Sequence, residues 1–194
     1  MSYEQYRPSG FSILPPVVKN LLIINGLFFL ATITLSQWDL TELLGLHPFE
    51  SSQFRPYQLI THFFMHGSFM HIFSNMLALW MFGNAIENYW GGKRFLIYYL
   101  LTGLGAAALH LGILEFQIHD LMRSMDQQTI DLVKKEGAGV LNSMHNYSNP
   151  QMAQLNVLLN TSTVGASGAV FGVLLAFGMM FPNTIIYVYF ALPI

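Results

Sequence analysis

Four long apolar stretches separated by polar ones organise this chain of 194 residues. A helix that crosses a bilayer needs roughly 20 mostly apolar residues. Val17 to Leu35 meets that length, with one charge, Lys19, near its start. It is too long for the apolar core of a secretory signal, and no A-x-A cleavage pattern follows, so it reads as a retained helix. Ile60 to Ile86 is a second span without Asp, Glu, Lys or Arg. Phe95 to Leu114 is a third and Val164 to Phe181 a fourth. The chain closes on a ten-residue apolar run, IIYVYFALPI, which is too short to span.

The connecting stretches are polar. Ser36 to Leu59 holds Asp39, Glu42, Glu50 and Arg55, and Glu87 to Arg94 is a tight connection. Glu115 to Thr163 forms a long extramembrane insertion. In it Ile118, Leu121, Met122 and Met125 recur at helical spacing. They predict a short amphipathic helix, read either as a solvated loop helix or as a surface for lipid or substrate. No second domain or internal repeat is visible, so residues 1–194 read as one membrane domain.

Composition narrows the class. Charged residues make up 9% and hydrophobic residues 53%, against about 25% charged in an ordinary soluble domain. So little charge cannot cover a water-facing surface, which argues against a soluble enzyme and a disordered chain. A net charge of −2 offers no basic field for nucleic acid. The absence of cysteine excludes disulfides, thiolate catalysis and Cys-ligated metal. What remains is an all-α, polytopic integral membrane protein.

Orientation is weakly encoded. With the N-terminus inside, Arg7, Lys19, Lys93 and Arg94 lie inside and Arg55, Arg123, Lys134 and Lys135 outside. Lys93 and Arg94 sit in the shortest loop, which favours a cytoplasmic N-terminus.

Polar groups at membrane depth are costly and mark function. The second segment carries His62, His66, His71 and Asn75. On a continuous helix His71 and Asn75 share a face, as do His62 and His66. His66 and His71 would lie about 140° apart around it. The fourth segment opens Gly165-Ala166-Ser167-Gly168. Small neighbours leave the Ser167 hydroxyl open, and a helix N-terminus offers free N–H donors for an oxyanion. Gly168, Gly172 and Ala176 also form a small-xxx-small stripe suited to plain helix packing. Likewise, the His and Asn side chains could be interhelical hydrogen bonds alone. Together, a Ser, imidazoles and an Asn from a different helix fit nucleophilic catalysis.

The run THFFMHGSFMHIFSNM (Thr61 to Met76), Glu87, the Gly91-Gly92 turn and GASGAVFG (Gly165 to Gly172) resemble the rhomboid family of intramembrane serine proteases. The resemblance implies a rhomboid-like bundle with the first four transmembrane helices of an expected six. It implies Ser167 as nucleophile, with His71, Asn75 and the Ser167 N–H binding the oxyanion. His66 would orient the site, and Glu87 would anchor the inner end of the second helix. Gly165 and Gly168 would permit the backbone geometry, and Phe171 would be the aromatic one turn beyond the serine. The implied substrates are membrane proteins with a transmembrane segment, cut in or near it, with no cofactor, metal or nucleic acid.

Two departures stand out. Tyr57-Gln58 replaces the Trp-Arg pair that many rhomboids carry before the second helix. The family's base is a histidine on its sixth helix, whereas His47, His62, His66, His71, His110, His119 and His145 all precede Ser167. The expectation is therefore a C-terminally truncated sequence, inactive by itself, with the base downstream. Three other readings compete. One is a non-catalytic rhomboid-like protein that binds transmembrane helices. Another is a metalloenzyme built on His62-x-x-x-His66, which lacks the further histidine boxes such sites need. The third is a plain four-helix scaffold, which leaves the Ser–His–Asn set unexplained.

Overall fold

The computed structural model describes residues 12–184, 187–188 and 192–193. Arg7 and most of the terminal apolar run lie outside the described residues. The architecture is helical, as expected, apart from a two-residue strand pair, Tyr187–Val188 with Leu192–Pro193. Nine α-helices are described: α1 Pro16–Thr34, α2 Leu40–Leu44, α3 Gln58–Thr61, α4 Phe69–Ala78, α5 Asn84–Trp90, α6 Gly92–Met122, α7 Gln127–Asn142, α8 Pro150–Asn160 and α9 Ser167–Met180. Three continuous helical stretches are long and apolar enough to cross a membrane: Pro16–Thr34, Phe69–Trp90 and Gly92–Met122.

α1 starts where the sequence expectation put it. Pro16 occupies its first turn, where a missing N–H costs nothing. The next two N–H groups are capped from far along the chain. Val17 and Val18 donate to Glu87 Oε1 and Oε2 at 2.9 and 2.7 Å. Asn84 Nδ2 donates to the Ile13 carbonyl at 2.6 Å, and Asn88 exchanges two hydrogen bonds with Ser12. α5 thereby grips the entry to α1.

The second span departs from the expected Ile60 to Ile86. The chain breaks between a 3₁₀ turn at His62–Phe64 and α4, and Ser68 caps α4 by accepting from the His71 N–H. The spanning helix runs Phe69–Trp90, with a π turn at Leu79–Gly83. Gly91, with φ 79°, ends it, because the left-handed region costs glycine little.

α6 and α9 pack most closely. A β-carbon on Gly168 would meet Ala106 Cβ at 2.6 Å, and one on Gly172 would meet Thr102 Cβ at 2.5 Å. Tyr98 Oη donates to the Gly172 carbonyl at 2.8 Å. Lipid supplies no hydrophobic force between helices, so close backbone approach and hydrogen bonds hold such pairs. The small-residue stripe thus packs as the sequence suggests. The shared core runs through Val18, Leu21, Leu79, Phe95, Tyr99, Val170 and Val173. α9 has 14 residues, about 21 Å at 1.5 Å per residue. It begins at Ser167 rather than Val164, and it is shorter than a full span.

α6 has 31 residues, about 46 Å, and outruns a hydrocarbon core of about 30 Å. Ile118, Leu121 and Met122 are its last turns and not a separate surface helix. Ile118 packs with Ile130 and Val133 of α7 and Leu155 and Leu159 of α8. The insertion is therefore a packed helical unit with its own small core. The first loop is tied to it by Lys134 Nζ, which donates to Glu50 Oε2 at 2.7 Å. That ammonium holds the Glu50 carboxyl below the ordinary carboxylate range, and nearby His119 adds to the effect.

Candidate active site

Ser167 is the first residue of α9. The first N–H groups of a helix have no intrahelical acceptor, and no side chain caps this end. The approach to Ser167 is fixed on both sides. Leu46 and Thr163 form an antiparallel bridge, exchanging N–H···O bonds of 2.8 Å each way. The Gly165 N–H donates to the His62 carbonyl at 2.8 Å. Gly165 then turns through φ +118°, and Ala166 leads into the helix with its side chain fully buried. The donors around the serine therefore point out of the helix end while the preceding amide is already bound.

His71 and Asn75 come from α4, one turn apart. A β-carbon on Gly165 would meet His71 Nε2 at 2.7 Å and Asn75 Nδ2 at 3.8 Å. Both side chains thus reach the residue two before Ser167, as the i, i+4 spacing requires. Asn75 is 6% exposed, and its Nδ2 has no hydrogen-bond partner among the described residues. A buried amide donor without an acceptor is costly.

The pairing expected of His62 with His66 does not occur on a helix face. His62 lies in the 3₁₀ turn and His66 in the link before α4. His66 instead meets His71, with ring centroids 4.9 Å apart and planes at 69°. It is 1% exposed, and neither ring nitrogen has a hydrogen-bond partner among the described residues. The break in the segment lets His66 fold back onto His71, which one helix could not do. His62 is tied down by a 2.7 Å contact between Nδ1 and the Gln58 carbonyl. The bond fixes the proton on Nδ1, because a carbonyl only accepts.

A cavity of about 200 Å³ opens beside the serine, bounded by Ser167, Gly168, Gly103, His62, Thr163 and His110. His110 is the residue that sequence reasoning passed over. It lies on α6 with Nε2 2.8 Å from Thr163 Oγ1. The signal was present: an imidazole inside the third apolar segment, of the same kind that singled out the second. Gly168 lies against α6, where a β-carbon would strike Ala106. Phe171, one turn on from Ser167, is 70% exposed along a face with Leu175 and Met179. Glu87 stands apart from this group, 3% exposed and capping α1.

This is a helical integral membrane protein with a serine, two imidazoles and an amide gathered at one helix end. The rhomboid domain family matches residues 53–119. Rhomboid-like protein 15 of Arabidopsis thaliana is 28% identical over 98 residues, covering 50% of this chain and 24% of that protein. RHOMBOID-like protein 12, mitochondrial, from the same plant is 28% identical over 180 residues, covering 92% of this chain and 45% of its own length. The likeness to the rhomboid domain family thus rests on residues 53–119, and the matches span less than half the length of these relatives.

Proposed function

We propose that this chain carries the nucleophile and oxyanion side of an intramembrane serine endopeptidase. The observation that carries the reading is the convergence of His71 Nε2 and Asn75 Nδ2 on Gly165, two residues before a serine at an uncapped helix N-terminus. In this reading Ser167 Oγ attacks a peptide carbonyl of a membrane-protein substrate, in or near its transmembrane segment. The negative charge that develops on the carbonyl oxygen is met by the first N–H groups of α9, the His71 imidazole and the Asn75 amide. Such donors act where charge develops and need no reorganisation during reaction. His66 packs on the His71 ring and positions it. The cavity between α6 and α9 supplies room for the water that releases the acyl group. The N-terminus lies in the cytoplasm, on the side of Lys93 and Arg94.

The family resemblance places the base after the serine, and this sequence has no histidine there. The same observation favours one second reading, a rhomboid-like protein that binds transmembrane helices without cutting them. Fluorophosphonate labelling of the natural gene product in native membranes separates the two, with Ser167→Ala beside it. Labelling that Ser167→Ala abolishes is expected. A folded natural product that takes no label would leave the helix-binding reading.

A further inference from the structure

A second cavity lies away from the serine, in the loop that follows α1. Its volume is about 340 Å³, and Trp38, Asp39, Glu42, Arg55 and Tyr57 contribute to its wall. We propose that it seats the headgroup of a zwitterionic phospholipid, the ammonium group lying between Trp38, Tyr57 and the two carboxylates and the phosphate on Arg55.

Position is the first support. α1 ends at Thr34, so Trp38 follows the end of a span by four residues. That is headgroup depth, where exposed tryptophan and tyrosine concentrate. Trp38 is 67% and Tyr57 45% exposed, which leaves both rings able to take a cation on their faces.

The donor set is the second support. Asp39 is held through Oδ1, which accepts from the Glu42 N–H at 3.1 Å. Glu42 is held through Oε1, 3.0 Å from His47 Nε2. Each carboxylate keeps its other oxygen for a ligand. Arg55 is fixed through Nη1, which donates to the Ser52 and Phe54 carbonyls at 3.0 and 2.7 Å. Its remaining N–H groups suit a phosphate, which guanidinium binds with charge-assisted hydrogen bonds. Two carboxylates against one guanidinium leave the wall net negative. An anionic headgroup is repelled there, whereas one bearing both an ammonium and a phosphate matches both signs.

The third support is that the wall is preformed. Gln58, 1% exposed, donates through Nε2 to the Leu43 and Gln53 carbonyls and accepts through Oε1 from the Arg55 N–H. Tyr57 Oη donates to the Leu43 carbonyl at 3.3 Å. One buried amide therefore ties both sides of the cavity together, which lowers the ordering cost of binding.

The reading stands whether or not Ser167 cuts peptide bonds. The test is native mass spectrometry of the protein in maltoside micelles with equal amounts of short-chain phosphatidylcholine, phosphatidylethanolamine and phosphatidylglycerol. About tenfold greater retention of one or both zwitterionic lipids over phosphatidylglycerol is expected. Whichever of the two dominates identifies the ammonium source. Trp38→Ala, at an exposed position, and the double variant Asp39→Asn with Glu42→Gln are expected to erase that preference. Arg55→Gln is expected to weaken retention of all zwitterionic lipid. Displacement of the bound lipid by millimolar phosphocholine would support headgroup recognition. Equal retention of the three lipids, or a preference that Trp38→Ala leaves intact, would overturn the proposal.

Discussion

His71 occupies the space that a side chain on Gly165 would need: its Nε2 lies 2.7 Å from where a β-carbon would stand. Gly165 also holds φ +118°, a region L side chains rarely adopt. Its glycine is therefore required twice, by the backbone and by the imidazole beside it. Gly165→Ala is expected to push His71 away and distort the entry to α9. The measurement is fluorophosphonate labelling of the natural product, which should fall by about 10²-fold or more. Labelling at the wild-type rate would show that His71 need not sit there.

His71→Ala and Asn75→Ala each remove one proposed oxyanion donor and leave Ser167 in place. Loss of one such donor typically lowers turnover about 10²–10³-fold. Cleavage of a transmembrane substrate in reconstituted vesicles should report this loss in kcat, with KM little changed. A change confined to KM would assign these side chains to substrate binding instead.

Glu87 satisfies two N–H groups at the start of α1 from a buried position. Glu87→Ala strands both donors, and each buried unsatisfied donor costs about 1–3 kcal/mol. The expected result is a clear fall in the thermal midpoint in detergent. Glu87→Gln keeps one acceptor oxygen and should fall by less. Unchanged midpoints in both variants would rule out the capping role.

Glu50 and Lys134 join the first loop to α7, and the folded state lowers the Glu50 pKa. A carboxyl with a depressed folded-state pKa adds stability above its ordinary range of about 4.3. That contribution disappears as pH falls through the lowered value. Both partners are partly exposed, which holds it to about 1 kcal/mol or less. The difference in thermal midpoint between wild type and Glu50→Gln should therefore be small at neutral pH and vanish in acid. A difference that grows on acidification would contradict the pairing.

Gly172 lets α9 approach α6 at Thr102. Gly172→Val should separate the helices and destabilise the protein in detergent, whereas Gly178→Val, where a β-carbon meets nothing within 4 Å, should not. Equal effects would show that the contact is not what the stripe provides.

Apolar length and the scarcity of charge were enough to determine a helical membrane protein, because a bilayer accepts only helices and closed barrels, and apolar runs of about 20 residues have the length of a spanning helix. They also located α1 to within a residue and the body of α6. The i, i+4 spacing put His71 and Asn75 one turn apart on α4, and the small residues around Ser167 lead into the first turn of α9, because each is a local property of its own helix. His66 shows the limit. Helical periodicity assumed a continuous helix through His62, His66 and His71, yet Ser68 caps α4 and starts the helix only at Phe69. The cap set the ring contact between His66 and His71, and no hydropathy pattern reports it. The insertion was misread for a similar reason: Ile118 looks like one residue of a surface helix until α7 and α8 fold back upon it. His110 reaches the serine cavity only through the packing of α6 against α9. Sequence alone determined which residues could do chemistry and the elements that hold them. Tertiary structure decided which of them meet, because contacts between residues distant in the chain depend on where helices break and how closely they pack.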